Sequence, residues 1–358
     1  MGRYLLKRLL LIVPTLFGII LINFVIVQFA PGGPVEQIIA SVAFGQTSTT
    51  SGISGGADAM GAGDQSSTSS SYAIPPEIIA DLERQFGFDK PPHERFFTMV
   101  VNYLSLDFGT SFFQDRPVLD LIIERMPVSI SLGLWSLLLI YGISIPMGVA
   151  KAVRDGSAFD VWTSSLIFIG FAIPGFIFAI LLIVIFAGGN YLDLFPLQGL
   201  TSDNWAELSW GDKILDYFWH LALPLTALTI GGFATLTMLT KNSFLEEISK
   251  QFVLTARAKG LTEQRVLYGH VFRNAMLIVI AGFPAAFIGI LFTGSLLIEV
   301  IFSLDGMGLL SYEAVIKRDY PILFGALFVF TLVGLMMHLI GDLVYVFVDP
   351  RIDFETRE

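Results

Sequence analysis

Long runs without a charged side chain constrain this chain more than any other feature. A helix of about 20 apolar residues spans the hydrocarbon core of a bilayer. Because 54% of the 358 residues are hydrophobic and only 15% are charged, we predict an all-α integral membrane protein with six transmembrane helices. The six runs are 9–30, 127–150, 161–188, 217–240, 274–298 and 322–341. Kinks are predicted where proline interrupts a run, at Pro146, Pro174, Pro224 and Pro284.

The charges on either side of these runs predict the orientation of the chain. Arg3, Lys7 and Arg8 precede the first run, which is longer than the apolar part of a cleaved signal peptide. Residues 1–30 are therefore predicted to stay as the first transmembrane helix. With both termini in the cytosol, the inner segments hold most of the 21 basic residues, as the positive-inside rule requires.

The segment between the first two spans, 31–126, is predicted to lie outside the membrane. Within it, 46–71 is a Gly/Ser/Thr-rich stretch with few large apolar side chains, which predicts a flexible insertion. Amphipathic helices are predicted to follow and to pack at the membrane surface, with direct contact to a substrate as the alternative. Residues 127–348 would form the transmembrane core, and 349–358 a cytosolic tail.

A charged island, 241–273, separates the fourth and fifth runs. Ser243 followed by Glu246 has the spacing of a capping box and predicts the start of a helix. Gly260 supplies the residue that commonly closes one, and Thr262 can cap a second. The prediction is two short helices joined by a Gly turn outside the membrane, an arrangement suited to docking on a partner protein. A basic linker that only keeps positive charge in the cytosol is the alternative.

The sequence of this island carries a family resemblance. TARAKGL at 255–261 and HVFRNA at 270–275 resemble the cytosolic coupling loop of ABC-importer permeases in the dipeptide and oligopeptide branch, most closely its YejB-type members. The resemblance extends over nearly the whole chain except 46–71, and it implies the type I importer transmembrane fold. It also implies that the loop docks on an ATPase subunit through Glu246, Glu247, Thr255, Ala256, Arg257, Ala258, Lys259, Gly260 and Leu261.

A second motif, GSLLIEVIFSLDGMG at 294–308, also resembles a signature of that family. Asp305 stands where many members carry proline, although an Asp-Gly pair still favours a turn. Glu299 is predicted to hold this turn at the outer end of the fifth span, with an outer-gate contact to substrate as the alternative. Asp342 is predicted to pair with Arg351 or with a neighbouring chain.

The sequence carries little that could support catalysis on this chain. It contains no Gly-Lys pair, so a phosphate-binding P-loop is excluded and ATP with its magnesium is expected on a partner ATPase. The four histidines are scattered and the chain has no cysteine, so no metal site or other cofactor is predicted. No concentrated basic surface outside the island points to nucleic acid.

The resemblance implies a multi-pass permease subunit in the bacterial inner membrane that forms half of a peptide path. Its partners would be a related permease chain in a heterodimer, ABC ATPase subunits, a periplasmic peptide-binding protein and the lipid bilayer. The alternative is a secondary transporter or channel driven by an ion gradient, which predicts paired charges at mid-membrane and inverted repeats. A membrane-embedded hydrolase would need a clustered nucleophile or metal set.

Overall fold

The computed structural model describes residues 2–29, 90–189, 191–289 and 296–348, and within them it is helical with no β-strand. The predicted insertion at 46–71 and the tail at 349–358 lie outside the described residues. The chain forms two compact units. One comprises Met1–Ile12, Asp120–Glu313 and Val329–Glu358, and the other Val13–Leu119 and Ala314–Phe328.

The helices are numbered along the chain. They are α1 (Gly2–Phe29), α2 (Pro92–Leu104), α3 (Val118–Val153), α4 (Ala158–Ala172), α5 (Gly175–Phe186), α6 (Trp210–Ile248), α7 (Gln251–Ala258), α8 (Glu263–Val266), α9 (Phe272–Gly289), α10 (Leu296–Ile301), α11 (Met307–Lys317) and α12 (Tyr320–Val348). A 3₁₀ turn lies at Trp205–Glu207, and a π-helical turn, Leu267–Val271, joins α8 to α9.

The predicted all-α membrane fold is confirmed. Among the described residues, five helical segments are long and apolar enough to cross a bilayer, and they lie in α1, in α3, in α6, in α8–α9 and in α12. The third predicted span is not one straight helix, because α4 and α5 meet at 95°. Pro174 stands immediately before α5 with an extended backbone, and it has no N–H with which to continue α4. Taken together, the pair is also long and apolar enough for a sixth span.

Two helices extend beyond the uncharged runs that predicted them. α3 begins at Val118 and passes through Pro127, where the run was expected to start. α6 begins after Ser209, whose hydroxyl accepts a hydrogen bond from the Asp212 amide at 3.3 Å. The limits of the uncharged runs mark the hydrocarbon, whereas a helix continues into water as long as its backbone hydrogen bonds are kept.

Close backbone contact fixes α6 against α3 in the larger unit. A Cβ on Gly148 of α3 would lie 2.6 Å from Thr240 Cβ and 2.8 Å from the Thr237 carbonyl oxygen. Only glycine permits this approach. α6 also contacts α4, α5 and α9, so it is the helix around which the larger unit is packed.

Aromatic side chains pack the smaller unit. The ring of Phe96 on α2 meets Phe17 and Phe24 of α1 edge to face, with centroids 5.6 and 5.3 Å apart. Tyr103 contacts Phe328 in the same geometry, at 5.4 Å. The amphipathic stretch predicted around Phe96 is therefore a helix that packs on α1.

Candidate coupling site

The charged island does not begin with a new helix. Ser243 and Glu246, predicted to form a capping box, lie inside α6, which continues to Ile248; that prediction is wrong. The Ser243 hydroxyl instead donates a 2.7 Å hydrogen bond to the Ala275 carbonyl oxygen of α9. A serine, which often caps a helix, can also lie in the interior of one when a neighbouring helix provides a hydrogen-bond acceptor for its hydroxyl.

α7 is a short amphipathic helix held against the ends of three longer ones. Val253 is fully buried and Ala256 is 7% exposed, and both belong to a hydrophobic cluster shared with α3, α6 and α9. The other buried members of that cluster are Ile140, Val149, Ala152, Leu236, Phe244, Val266, Val271, Ala275, Met276 and Val279. The opposite side of α7 faces outward, and its Leu254 is 60% exposed.

The turn after α7 has the geometry that the sequence predicted. Gly260 has a φ of +79°, in the left-handed region that favours glycine. Its amide donates to the Arg257 carbonyl oxygen at 2.9 Å, and the Leu261 amide donates to that of Ala256 at 3.3 Å. This pair of hydrogen bonds is a Schellman motif, which satisfies carbonyls left free at the end of a helix.

Ion pairs lie at both ends of α7. The Arg257 guanidinium contacts both oxygens of the Glu263 carboxylate at 3.0 Å, across the Gly260 turn. Before α7, Lys250 contacts Glu247 and lies 3.5 Å from Glu246. The hydrogen bond to Glu247 raises the pKa of Lys250, so this pairing further favours the charged form of the amine.

The second predicted short helix is not a separate element. α8 begins after Thr262, whose side chain makes no capping hydrogen bond, and it continues through the π turn into α9. The segment Glu263–Phe287 is one membrane-length helix. Two short helices were predicted, and the structure has one short helix, α7, followed by a membrane-length helix that begins at Glu263. π turns recur at functional sites.

The residues predicted to contact an ATPase are brought together by α7 and its flanks, but they do not all face outward. Ala256 faces the core, and Leu261 and Glu247 are half-buried. The outward set is Glu246, Thr255, Arg257, Ala258, Lys259 and Gly260. The result is an exposed surface with charged and small side chains on a helix that is anchored from beneath.

Four charged residues next to this site were not singled out from the sequence. Lys151, Asp160 and Lys241 meet where α3 ends and α4 begins, near the end of α6; we call these three residues the ionic junction. The exposed Asp155 contacts Lys241 beside it. In the sequence they stand at the borders of uncharged runs, where charges are usually solvated. One signal in the sequence could have indicated a contact between two of them: Lys151 and Asp160 lie on either side of the short loop between two predicted spans.

A second buried carboxylate lies far from α7 in sequence. Glu299 of α10 is fully buried. It accepts hydrogen bonds from the Ser129 hydroxyl at 2.8 Å and the Leu309 amide at 2.9 Å. The Met307 amide donates to the same Ser129 hydroxyl at 2.8 Å. Glu299 therefore lies between α3 and the start of α11.

Asp305 and Asp342, the other two acidic residues considered in the sequence, pair within the larger unit. Asp305, exposed in the turn before α11, pairs with Arg125 of α3. Asp342 of α12 pairs with Arg8 of α1. Arg351, the partner predicted for Asp342, lies outside the described residues. Arg8, near the opposite end of the chain, thus supplies the counter-charge for Asp342. A pairing across so long a stretch of sequence cannot be predicted from local patterns.

Comparison with known proteins assigns this architecture to a family. Residues 144–354 match the family described as "Binding-protein-dependent transport system inner membrane component". Over the full length of both chains, the sequence is 60% identical to the peptidoglycan transport system permease protein YejB of Agrobacterium fabrum. It is 58% identical, again over both full lengths, to the inner membrane ABC transporter permease protein YejB of Escherichia coli O157:H7.

More distant relatives agree. The chain is 30% identical to the oligopeptide transport system permease protein OppB of Haemophilus influenzae, over 99% of this chain and 100% of the relative. A solved structure of the MetNI methionine ABC transporter in an inward-facing conformation shares the fold. It matches with a TM-score of 0.50 and 17% identity, over 64% of this chain and 97% of that chain. The protein is therefore a permease subunit of the ABC importers, a member of the binding-protein-dependent transport system inner membrane component family.

Proposed function

We propose that this permease carries peptides into the bacterial cytoplasm and couples to an ATPase subunit through the outward surface of α7. The observation that carries the proposal is the anchoring of α7. Its inner face, with Val253 and Ala256, is buried against the ends of α3, α6 and α9, while its outer face is free to bind a partner. A force applied to such a helix is transmitted to the spans beneath it, because packed interiors do not deform continuously.

The ATPase is proposed to be a separate chain. This sequence contains no Gly-Lys pair and so lacks the P-loop that binds and orients ATP phosphates. ATP and magnesium would be held by that partner, and a second, related permease would complete the path as a heterodimer. A periplasmic binding protein would deliver the substrate, as the family description implies.

Peptides are the proposed substrate class. Relatives that align over nearly the whole chain are described as permeases for oligopeptides, dipeptides and peptidoglycan. The ion-gradient alternative gains no support from these relatives. The buried charges of the ionic junction lie near the end of α3, at the start of α4 and near the end of α6, whereas that alternative predicts paired charges in the middle of the spans.

We propose that the permease lies in the bacterial inner membrane, with both termini and α7 on the cytosolic side. Glu299 and Asp305 would then lie toward the periplasm, beyond the fifth span. There we propose a structural role for Glu299. Its carboxylate accepts a hydrogen bond from the Leu309 amide and leaves no room for a Cβ at Gly306 or Gly308, so it holds the turn that leads into α11.

Reconstitution tests the proposed function. The chain would be placed in proteoliposomes with the ATPase and second permease that co-purify with it, together with the binding protein and a labelled oligopeptide. Uptake is expected only when Mg-ATP is supplied on the ATPase side. Matched liposomes without the ATPase, given a proton gradient, serve as the control. Peptide uptake in that control would contradict the proposal and favour the gradient-driven alternative.

A further inference from the structure

We propose that Asp160 is a positioning residue for transport, which links a movement of α7 to α4 through the ionic junction. The proposal rests on the function above, because it requires α7 to be the element that the ATPase moves. It goes beyond that function by naming the side chains through which the movement leaves the docking surface. The junction is the described cluster in which one buried carboxylate meets two lysines from different helices.

Asp160 is held at the centre of the junction by contacts on both carboxylate oxygens. Lys241 of α6 places its Nζ 2.7 Å from Oδ2, and Lys151 of α3 places its Nζ 3.0 Å from Oδ1. The Gly156 amide also donates to Oδ2, at 3.2 Å. Three helices are thus joined through one side chain, which itself lies in the first turn of α4.

Lys151 is bound to α4 by more than its charge. Its ammonium donates to the Asp160 carbonyl oxygen at 2.8 Å, to Thr163 Oγ1 at 2.8 Å and to Ser164 Oγ at 2.7 Å. An ammonium has three donors, and here all three go to α4. The end of α3 is therefore hydrogen-bonded to the first turns of α4. A sliding movement of α3 along α4 would break these bonds.

The charged side chains of the junction are buried. Lys151 is fully buried, Asp160 is 5% exposed and Lys241 is 9% exposed. Charges in such an environment are poorly screened, and removing one partner leaves the other uncompensated. Beside the junction, the side chain of Asp155 is 53% exposed and lies 2.8 Å from Lys241, so two carboxylates in all balance the two lysines.

The junction adjoins the surface on which α7 packs. Ala152 follows Lys151 directly, and Phe244 lies one helical turn beyond Lys241. Both are buried in the cluster that contains Val253 of α7. A displacement of α7 therefore acts on the helix ends that carry the two lysines, and the lysines hold α4, which leads to the 95° bend before α5.

Two single substitutions test the link in the complete reconstituted complex. Asp160→Asn keeps the shape of the side chain and removes its charge, and Lys241→Met cuts the contact from α6. For each, the number of peptides transported per ATP hydrolysed is expected to fall roughly tenfold, while α7 still binds the ATPase. A wild-type ratio in the Asp160→Asn complex would overturn the proposal.

The double variant Asp160→Asn/Lys241→Met separates positioning from mere stability. Asp160→Asn leaves two buried ammonium groups near one exposed carboxylate, Asp155, whereas the double variant removes one of those two cations. Its thermal stability is expected to rise above that of Asp160→Asn, but its transport-to-hydrolysis ratio is expected to stay low. Recovery of that ratio together with stability would show that the junction is only a packing device and would overturn the proposal.

Asp155→Asn is the matched control, because it removes an exposed carboxylate from the same Lys241 and leaves the buried contacts in place. It is expected to keep the wild-type ratio within about twofold, as exposed ion pairs contribute little. A loss as large as that of Asp160→Asn would contradict the assignment to Asp160. Wild-type complexes without ATP-dependent uptake would instead contradict the proposed function itself.

Discussion

Gly260 and Gly306 exclude side chains for different physical reasons. Gly260 has a φ of +79°, and a Cβ there would meet nothing within 4 Å. Gly306 faces the buried carboxylate of Glu299, and a Cβ there would lie 2.5 Å from Oε2 and 2.6 Å from Oε1. The first position is restricted by its backbone and the second by its surroundings, so the two respond to different substitutions.

Replacement of Gly260 should follow backbone preference and not size. A non-glycine residue in the left-handed region costs about 1–2 kcal/mol, and asparagine is the side chain that tolerates it best. We expect ATP-driven uptake to be largely kept by Gly260→Asn, reduced by Gly260→Ala and lost in Gly260→Val, with membrane insertion intact in all three. Equal uptake by the asparagine and valine variants would contradict the role given to this turn.

Replacement of Gly306 should act through packing. Gly306→Ala forces a methyl group against the Glu299 carboxylate, and overpacking of this kind costs about 1–3 kcal/mol. We expect a lower thermal unfolding midpoint for the purified permease. Gly282→Ala in α9 is the control, because a Cβ there meets nothing within 4 Å and alanine favours a helix. If Gly282→Ala destabilised the protein as much as Gly306→Ala, the packing argument would be wrong.

At the scale of elements, α7 combines two functions on adjacent residues. Val253 is fully buried and Leu254 is 60% exposed, so the pair separates anchoring from docking. Val253→Asp places an unpaired carboxylate in the core and should strongly lower the unfolding midpoint of the permease alone. Leu254→Asp should leave that midpoint nearly unchanged but reduce the amount of ATPase that co-purifies. If Leu254→Asp retained the ATPase fully, the outward face of α7 would not be the docking surface.

The sequence predicted which segments lie in the membrane better than it predicted where helices begin and end. Uncharged runs report on hydrocarbon, so they identified α3 and α6 but not their extensions to Val118 and Ile248. Sequence signals gave correct predictions where the backbone preference of a single residue sets the conformation, as at Gly260, whose positive φ was expected. The Ser243 signal failed because α9 provides the hydroxyl with an acceptor.

Contacts between distant residues were beyond local pattern analysis. The Arg8–Asp342 pair joins the two ends of the chain. Lys241 contacts Asp160, 81 positions away in the sequence. The residues next to either one in the sequence give no sign of this pairing. A charge at the border of a span looks solvated in sequence, and only the packing of three helix ends reveals that Lys151 is buried.

At the scale of the whole molecule, the chain is a permease subunit of an importer, and we propose that a partner subunit supplies its energy. Its larger unit offers one anchored helix, α7, whose inner face is covered and whose outer face is open. Family membership implies ATPase and partner permease subunits in general. The central claim is that an ATPase subunit binds the outer face of α7.

Single-cysteine cross-linking tests this claim most directly, because the chain has no cysteine of its own. Ala258 is exposed and Ala256 is 7% exposed on the same helix, so they form a matched pair. In active complexes assembled in membranes, a short cross-linker should join Ala258→Cys to the ATPase subunit and leave Ala256→Cys unlinked. Efficient cross-linking from Ala256→Cys, or none from Ala258→Cys, would contradict the account.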